Sequence, residues 1–140
     1  MVHMQKLAVG IRDIAHLRDV QAARVANNPP LRHHTRNSPK RTAEITDGGS
    51  MYWVIAGAMI VRQRILGFQP GAWDDGTPAT AILLDPVLVP VAARLVRPFQ
   101  GWRYLPAADA PADLSADAPP SGAAEMPPAL RRELRSLGLL

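Results

Sequence analysis

The sequence predicts an α+β domain: a small curved or barrel-like, mostly antiparallel sheet with two helices, then a tether and one more helix at the C-terminus. Three observations lead there. Several short runs rich in Val, Ile, Tyr and Trp are separated by turn clusters. Two other segments are bracketed by helix start and stop signals, and residues 106–127 are dominated by Pro, Ala and Asp. The body is therefore assigned to residues 1–105, the tether to 106–127 and the last helix to 128–140.

Gln5 to Val9 reads as the first strand, and Asp13 caps a helix running to Val25 in which Ile14 and Leu17 face the core. Asn27-Asn28-Pro29-Pro30 stops it, because proline lacks an amide hydrogen and pushes its predecessor out of helical geometry. Leu31 to Arg36 follows as a short strand. Ser38-Pro39 then opens a second, short helix that Gly48-Gly49 closes. Met51 to Gln69 reads as a long β-hairpin turning at Ala56-Gly57. A buried helix is the competing reading of so continuous an apolar run, and Gly57 with the β-branched residues favours the hairpin. Trp73 to Pro78 is a turn cluster, and Thr80 to Leu84 is a strand ending at Asp85-Pro86. Val87 to Val96 adds a strand interrupted by Pro90, and Pro98 to Leu105 completes the body.

With 47% apolar and 20% charged residues, the composition excludes wholesale disorder. No apolar run approaches the roughly 20 residues that cross a bilayer, so no membrane partner is expected. The absence of cysteine removes disulfide frameworks, thiol nucleophiles and cysteine-zinc sites together. No secretory signal is visible, which makes cytoplasmic residence the expectation. The formal charge is +4 for the chain and +6 for residues 1–105, so the body carries the basic character. The Pro-Ala-Asp tether buries too little apolar surface to offset the entropy of ordering it. Beyond it, Leu130, Leu134 and Leu137 form the apolar stripe of a short helix closed by Gly138.

Three clusters carry candidate chemistry. Arg32, His33, His34, Arg36, Lys40 and Arg41 form a basic run with no acidic residue, suited to phosphate but equally to a solvated face. Arg62 and Arg64 point to one side of a strand, where their repulsion is relieved by exposure, by acids such as Asp85 or Glu44, or by an anionic ligand between them. Gln63 faces the other way with Val61 and Ile65, where a buried amide needs partners. The third cluster, Arg97 to Tyr104, interleaves aromatic and basic residues as in surfaces that stack bases and hold phosphates. Trp102 and Tyr104 are the stacking candidates, Arg103 the cation between them, and Trp53 a further aromatic in the central strand, each against the plainer role of core packing. Enzymatic signals are weak. His33 and His34 diverge on a strand or helix and do not chelate one metal together, Asp74-Asp75-Gly76 reads as a turn, and no nucleotide-cradling glycine motif is present. No cofactor is implied.

Thr35-Arg-Asn-Ser-Pro-Lys-Arg41, Asp47-Gly-Gly-Ser-Met-Tyr-Trp-Val-Ile55, Arg62-Gln-Arg-Ile-Leu66, Leu84-Asp-Pro86 and Arg97-Pro-Phe-Gln-Gly-Trp-Arg-Tyr-Leu105 together resemble a family of uncharacterised small alphaproteobacterial proteins, a domain of unknown function. That resemblance carries no catalytic residue. One position departs from it: Ala56 stands where such proteins have lysine before the glycine of the hairpin turn. More distantly, the short strands resemble small RNA-binding barrels of the pseudouridine-synthase-associated type, which implies RNA as a ligand.

The leading expectation is a non-catalytic binding domain for RNA or a phosphate-bearing small molecule, through Lys40, Arg41, Trp53, Arg62, Arg64, Trp102, Arg103 and Tyr104. A protein-interaction module acting through the C-terminal leucine-bearing helix is the alternative. A small enzyme using Arg62 and Arg64 as an anion clamp is the third.

Overall fold

The computed structural model describes residues 1–114. The expected tether beyond residue 114 and the expected C-terminal helix lie outside them. No helix among the described residues is long and apolar enough to cross a membrane.

Seven strands and two helices follow one another as β1 (Val2–Leu7), α1 (Ile14–Asn27), β2 (Arg32–Thr35), α2 (Thr42–Thr46), β3 (Ser50–Ile55), β4 (Ala58–Ala72), β5 (Pro78–Leu84), β6 (Val89–Leu95) and β7 (Trp102–Pro106). They make one mostly antiparallel sheet in the order β2-β5-β4-β3-β1-β7, with β6 paired to β4. The path does not return on itself, so the sheet is open rather than a closed barrel. The exception to antiparallel pairing is β1 beside β3, reached by a crossover that contains α1, β2 and α2.

The expected hairpin is β3–β4, and its two-residue turn puts Ala56 at φ 50° and Gly57 at φ 86°. Left-handed backbone at both positions matches the twist of the strands, and Ala56 bears the steric cost that glycine avoids. Past the turn the register shifts: Val54 pairs with Met59, but Trp53 pairs with Val61, leaving Ile60 as an extra residue. Its far half, from Ile65 onward, leaves β3 and pairs with β5.

Helix α1 starts at the expected cap, where the Asp13 carboxylate accepts from the His16 amide at 2.7 Å. Helix α2 begins later than Ser38-Pro39 indicates, at Thr42, and buries Ile45 completely. Two apolar layers result. The face that carries the helices buries Met4, Leu17, Ile45, Met51, Trp53 and Val61 among others, and the opposite face buries Tyr52, Val54, Met59, Val91 and Leu105. Residues 107–114, assigned to the tether from composition, belong to the body: a 3-10 turn spans Ala107–Asp109, the Ala92 amide donates to Ala112 O at 2.8 Å, and the Leu114 amide donates to Pro90 O at 3.0 Å.

Candidate functional site

Strand alternation sorts the eight expected site residues onto opposite sides of the sheet. Tyr52 pairs with Arg62, Ser50 with Arg64, and Gln5 with both Tyr52 and Arg103, so the three arginines share the face opposite the helices. Trp53, Trp102 and Tyr104 project to the helical face, where Lys40 and Arg41 meet Tyr104. The eight therefore do not form one surface.

On the arginine face, Arg62 is already occupied. Its Nε and Nη2 donate to Asp113 Oδ1 and Oδ2 at 2.7 and 2.6 Å, and Nη1 donates to Ser50 Oγ at 3.0 Å. Such a two-pronged fork saturates the guanidinium edge that phosphate would use. Asp85 and Glu44, two acids that could have relieved the Arg62–Arg64 pair, have other partners: the Asp85 carboxylate accepts from the Val87 amide and Glu44 pairs with Arg41. The hydrogen bond from Arg62 holds the Asp113 carboxyl below its ordinary range. Beneath this pair, His3 Nδ1 accepts from the Ser50 amide at 2.9 Å, and burial, followed by the Arg62 charge, lowers the His3 pKa. Arg64 is exposed, and the Arg103 guanidinium lies over the Phe99 ring at 4.8 Å from its centroid.

The aromatic pair on β7 fastens chain to chain. Trp102 and Tyr104 meet edge to face at 4.8 Å, the Trp102 indole donates to Asn37 O at 2.7 Å, and the Tyr104 hydroxyl accepts from the Lys40 and Arg41 amides at 3.0 and 3.2 Å. Arg41 stacks over the Tyr104 ring at 5.2 Å and is ion-paired to Glu44. Trp53 is 3% exposed; its indole donates to Gln63 Oε1 at 2.8 Å. Gln63 is inward, as its alternation requires, and fully partnered: it also exchanges hydrogen bonds with Gln21 at 2.7 and 2.8 Å and donates to Asp85 O at 3.1 Å. Trp53 is thus a core residue, although its ring reaches the floor of a cleft.

That cleft is the first of three adjoining hollows on the helical face. A slot of about 160 Å³ lies where β1, α1 and β2 meet, with Leu17, Leu31 and Trp53 inside and Lys6, Arg24 and Arg32 among its linings. A hollow of about 400 Å³ shares Arg24, Arg32 and His33 with it and adds His34 and Trp73. The third, about 590 Å³, shares Lys6 and Trp73 and adds Arg36, Asn37 and Trp102. Among the described residues, no Asp or Glu lines any of them. Burial lowers the Lys6 pKa, and burial, followed by the charges of Lys6, Arg24 and His34, pushes His33 from 6.5 down to about 3. His33 stands edge-on to Trp53 at 5.1 Å, and Trp73 leans on His34 at 5.9 Å. Gly71 makes room for that second imidazole, since a Cβ there would stand 3.0 Å from His34 Cδ2. Two buried polar atoms in this region, Arg32 Nε and His33 Nε2, have no hydrogen-bond partner among the described residues. Cationic side chains and flat aromatic rings thus stand side by side along the three hollows.

The basic run at 32–36 thus enters the groove, while Lys40 and Arg41 do not line it. Sequence reasoning missed Lys6, Arg24 and Trp73. Lys6 had a signal: in Val2-His-Met-Gln-Lys-Leu7, alternation sets it on the inward face with Val2 and Met4, and a lysine in that place marks an opening in the core.

The family model described as "Protein of unknown function (DUF1489)" matches residues 4–140. The chain belongs to this family. The match reaches residue 140, beyond the segments that carry the quoted motifs, and brings no activity with it. No curated protein and no solved structure matches the chain.

Proposed function

We propose that the chain is a non-catalytic binding domain for RNA or another phosphate-bearing ligand, and that the groove on the helical face takes the ligand. One observation carries this: Lys6, Arg24, Arg32 and Arg36, together with the indoles of Trp73 and Trp102, line adjoining hollows that hold no carboxylate among the described residues. Cations hold the backbone of a single strand and aromatic faces take its bases, in any sequence. The proposed setting is an alphaproteobacterial cytoplasm, where RNA is abundant, and the open sheet takes away the support that the distant resemblance to RNA-binding barrels would lend. Arg62 is left out, because opening its fork to Asp113 costs what a phosphate would return.

The test is a titration of a labelled single-stranded RNA at several salt concentrations. Affinity in the range of about 10⁻⁴ to 10⁻⁶ M should weaken as salt rises. The Lys6→Ala/Arg36→Ala variant should bind more weakly, with a salt slope shallower by roughly 1.4, at about 0.7 per phosphate contact on a single strand. Arg64→Ala/Arg103→Ala should bind as the parent does. Salt-independent binding, or equal losses in the two double variants, would refute the assignment to this face.

A further inference from the structure

We infer that the slot between β1, α1 and β2 receives one unpaired nucleobase, with the adjoining phosphate held by the cations around it. This rests on the reading of the groove given above and adds to it the chemical group that enters the interior. Size is the first argument. The slot measures about 160 Å³, and an apolar cavity of about 150 Å³ takes up a benzene ring, whereas sites for larger ligands begin near 300 Å³. One ring system fits, and a longer molecule has to continue outside.

The walls supply the second argument. Leu17, Leu31 and Leu84 are buried apolar residues around the slot, and Trp53 offers part of its ring, so a flat uncharged group is favoured over a phosphate inside. The two unpartnered atoms supply the third. Arg32 Nε–H is a fixed donor, since its guanidinium stays charged and is anchored through Nη2 on Pro29 O at 3.2 Å. His33 Nε2 is the second, on a ring kept neutral by its surroundings and therefore able to present a donor or an acceptor according to tautomer. Buried polar groups without partners are costly, and the edge of a nucleobase carries the acceptors and donors that would satisfy both. Finally, the cations Lys6 and Arg24 both line the slot, and each lines one neighbouring hollow, Arg24 the second and Lys6 the third, where an anion attached to the ring would lie. Trp73 and Trp102 in those neighbours give the next bases surfaces to rest on. A nucleobase reaches such a slot from a free nucleotide or from an unpaired position in a strand.

The experiment uses the full chain and follows the Trp53 indole and His33 ring resonances by NMR. Each of the four nucleoside 5′-monophosphates is titrated against ribose 5-phosphate, and a 12-nucleotide single-stranded RNA against the same strand with abasic positions. At least one nucleotide should shift the Trp53 and His33 signals and bind roughly tenfold more tightly than ribose 5-phosphate, or the intact strand should bind roughly tenfold more tightly than the abasic one. The first result names a free nucleotide as the source, the second a strand. His33→Phe, which keeps an aromatic ring and removes Nε2, should abolish that preference, and so should Ala8→Leu, which narrows the slot from its wall. Equal binding with and without the base, or shifts confined to Trp102, overturns the inference while salt-dependent RNA binding leaves the broader reading standing. Absence of all binding overturns both.

Discussion

On the helical face, Lys6, Arg24, Arg32 and Arg36 line hollows with no carboxylate among the described residues, whereas on the opposite face Arg62 is gripped by both oxygens of Asp113. The residue types are alike and their roles differ. What separates them is whether the fold supplies an acid within reach. An arginine so matched ties segments together, here β4 to the stretch after β7, whereas the groove cations have no carboxylate beside them among the described residues. Charge counted along a sequence therefore says little until the sheet has assigned each cation a face.

The comparison breaks first where it is most strongly built, in the core beneath the groove. Gln63→Leu leaves the Trp53 indole and the Gln21 amide buried without partners, and urea unfolding should show a loss of roughly 3–5 kcal/mol. The double replacement Gln21→Leu/Gln63→Leu should recover part of that loss. A loss below about 1 kcal/mol in the single variant would mean that the amide network does not organise the groove floor.

Acid sharpens the contrast. His33 is neutral in the native state down to about pH 3, whereas the unfolded chain takes up its proton near 6.5. Native stability should therefore fall as pH drops from about 6.5 toward 3, by up to about 1.4 kcal/mol per pH unit from this residue. His3, also lowered, adds to the slope, so the quantity to measure is the difference between the parent and His33→Phe. Asp113 acts lower on the scale: its carboxylate is held below 3.8, and the stability it contributes is present above that value and lost only as pH falls through its lower native value. If His33→Phe and the parent lose stability in parallel, His33 is not the sheltered group.

The smallest effect belongs to the ion pair on the far face. Because Arg62 and Asp113 are 24% and 45% exposed, a double-mutant cycle with Arg62→Ala and Asp113→Ala should give a coupling of about 0.5–1 kcal/mol, with RNA affinity unaltered. Weaker RNA binding in Arg62→Ala would move the ligand to this face.

Much of the fold was legible where chemistry is local. Asp13 announced a cap, Ala56-Gly57 a two-residue turn, and the alternation of Val61, Gln63 and Ile65 an inward amide. The partner of Arg62 was not legible, because Asp113 sits in a stretch whose Pro-Ala-Asp composition is that of a tether, and its pairing beside Val91, more than 20 residues away in sequence, is a tertiary event. The parallel pairing of β1 with β3 is likewise a long-range event. The decisive detail is the extra residue Ile60. Were the hairpin to continue in its initial register, Arg62 would stand opposite Met51 in the helical-face core, and the one-residue shift sends it and Arg64 outward while turning Gln63 in. No residue near Ile60 signals that shift.

The position of β1 has a consequence for synthesis on the ribosome. Its two neighbours, β3 and β7, lie about 50 and 100 residues downstream, so β1, made before the other described strands, waits longest for its mates. Until Trp102–Pro106 has emerged, the nascent sheet keeps an open seam along β1, and in that interval a chaperone or a foreign strand has its best opportunity to bind.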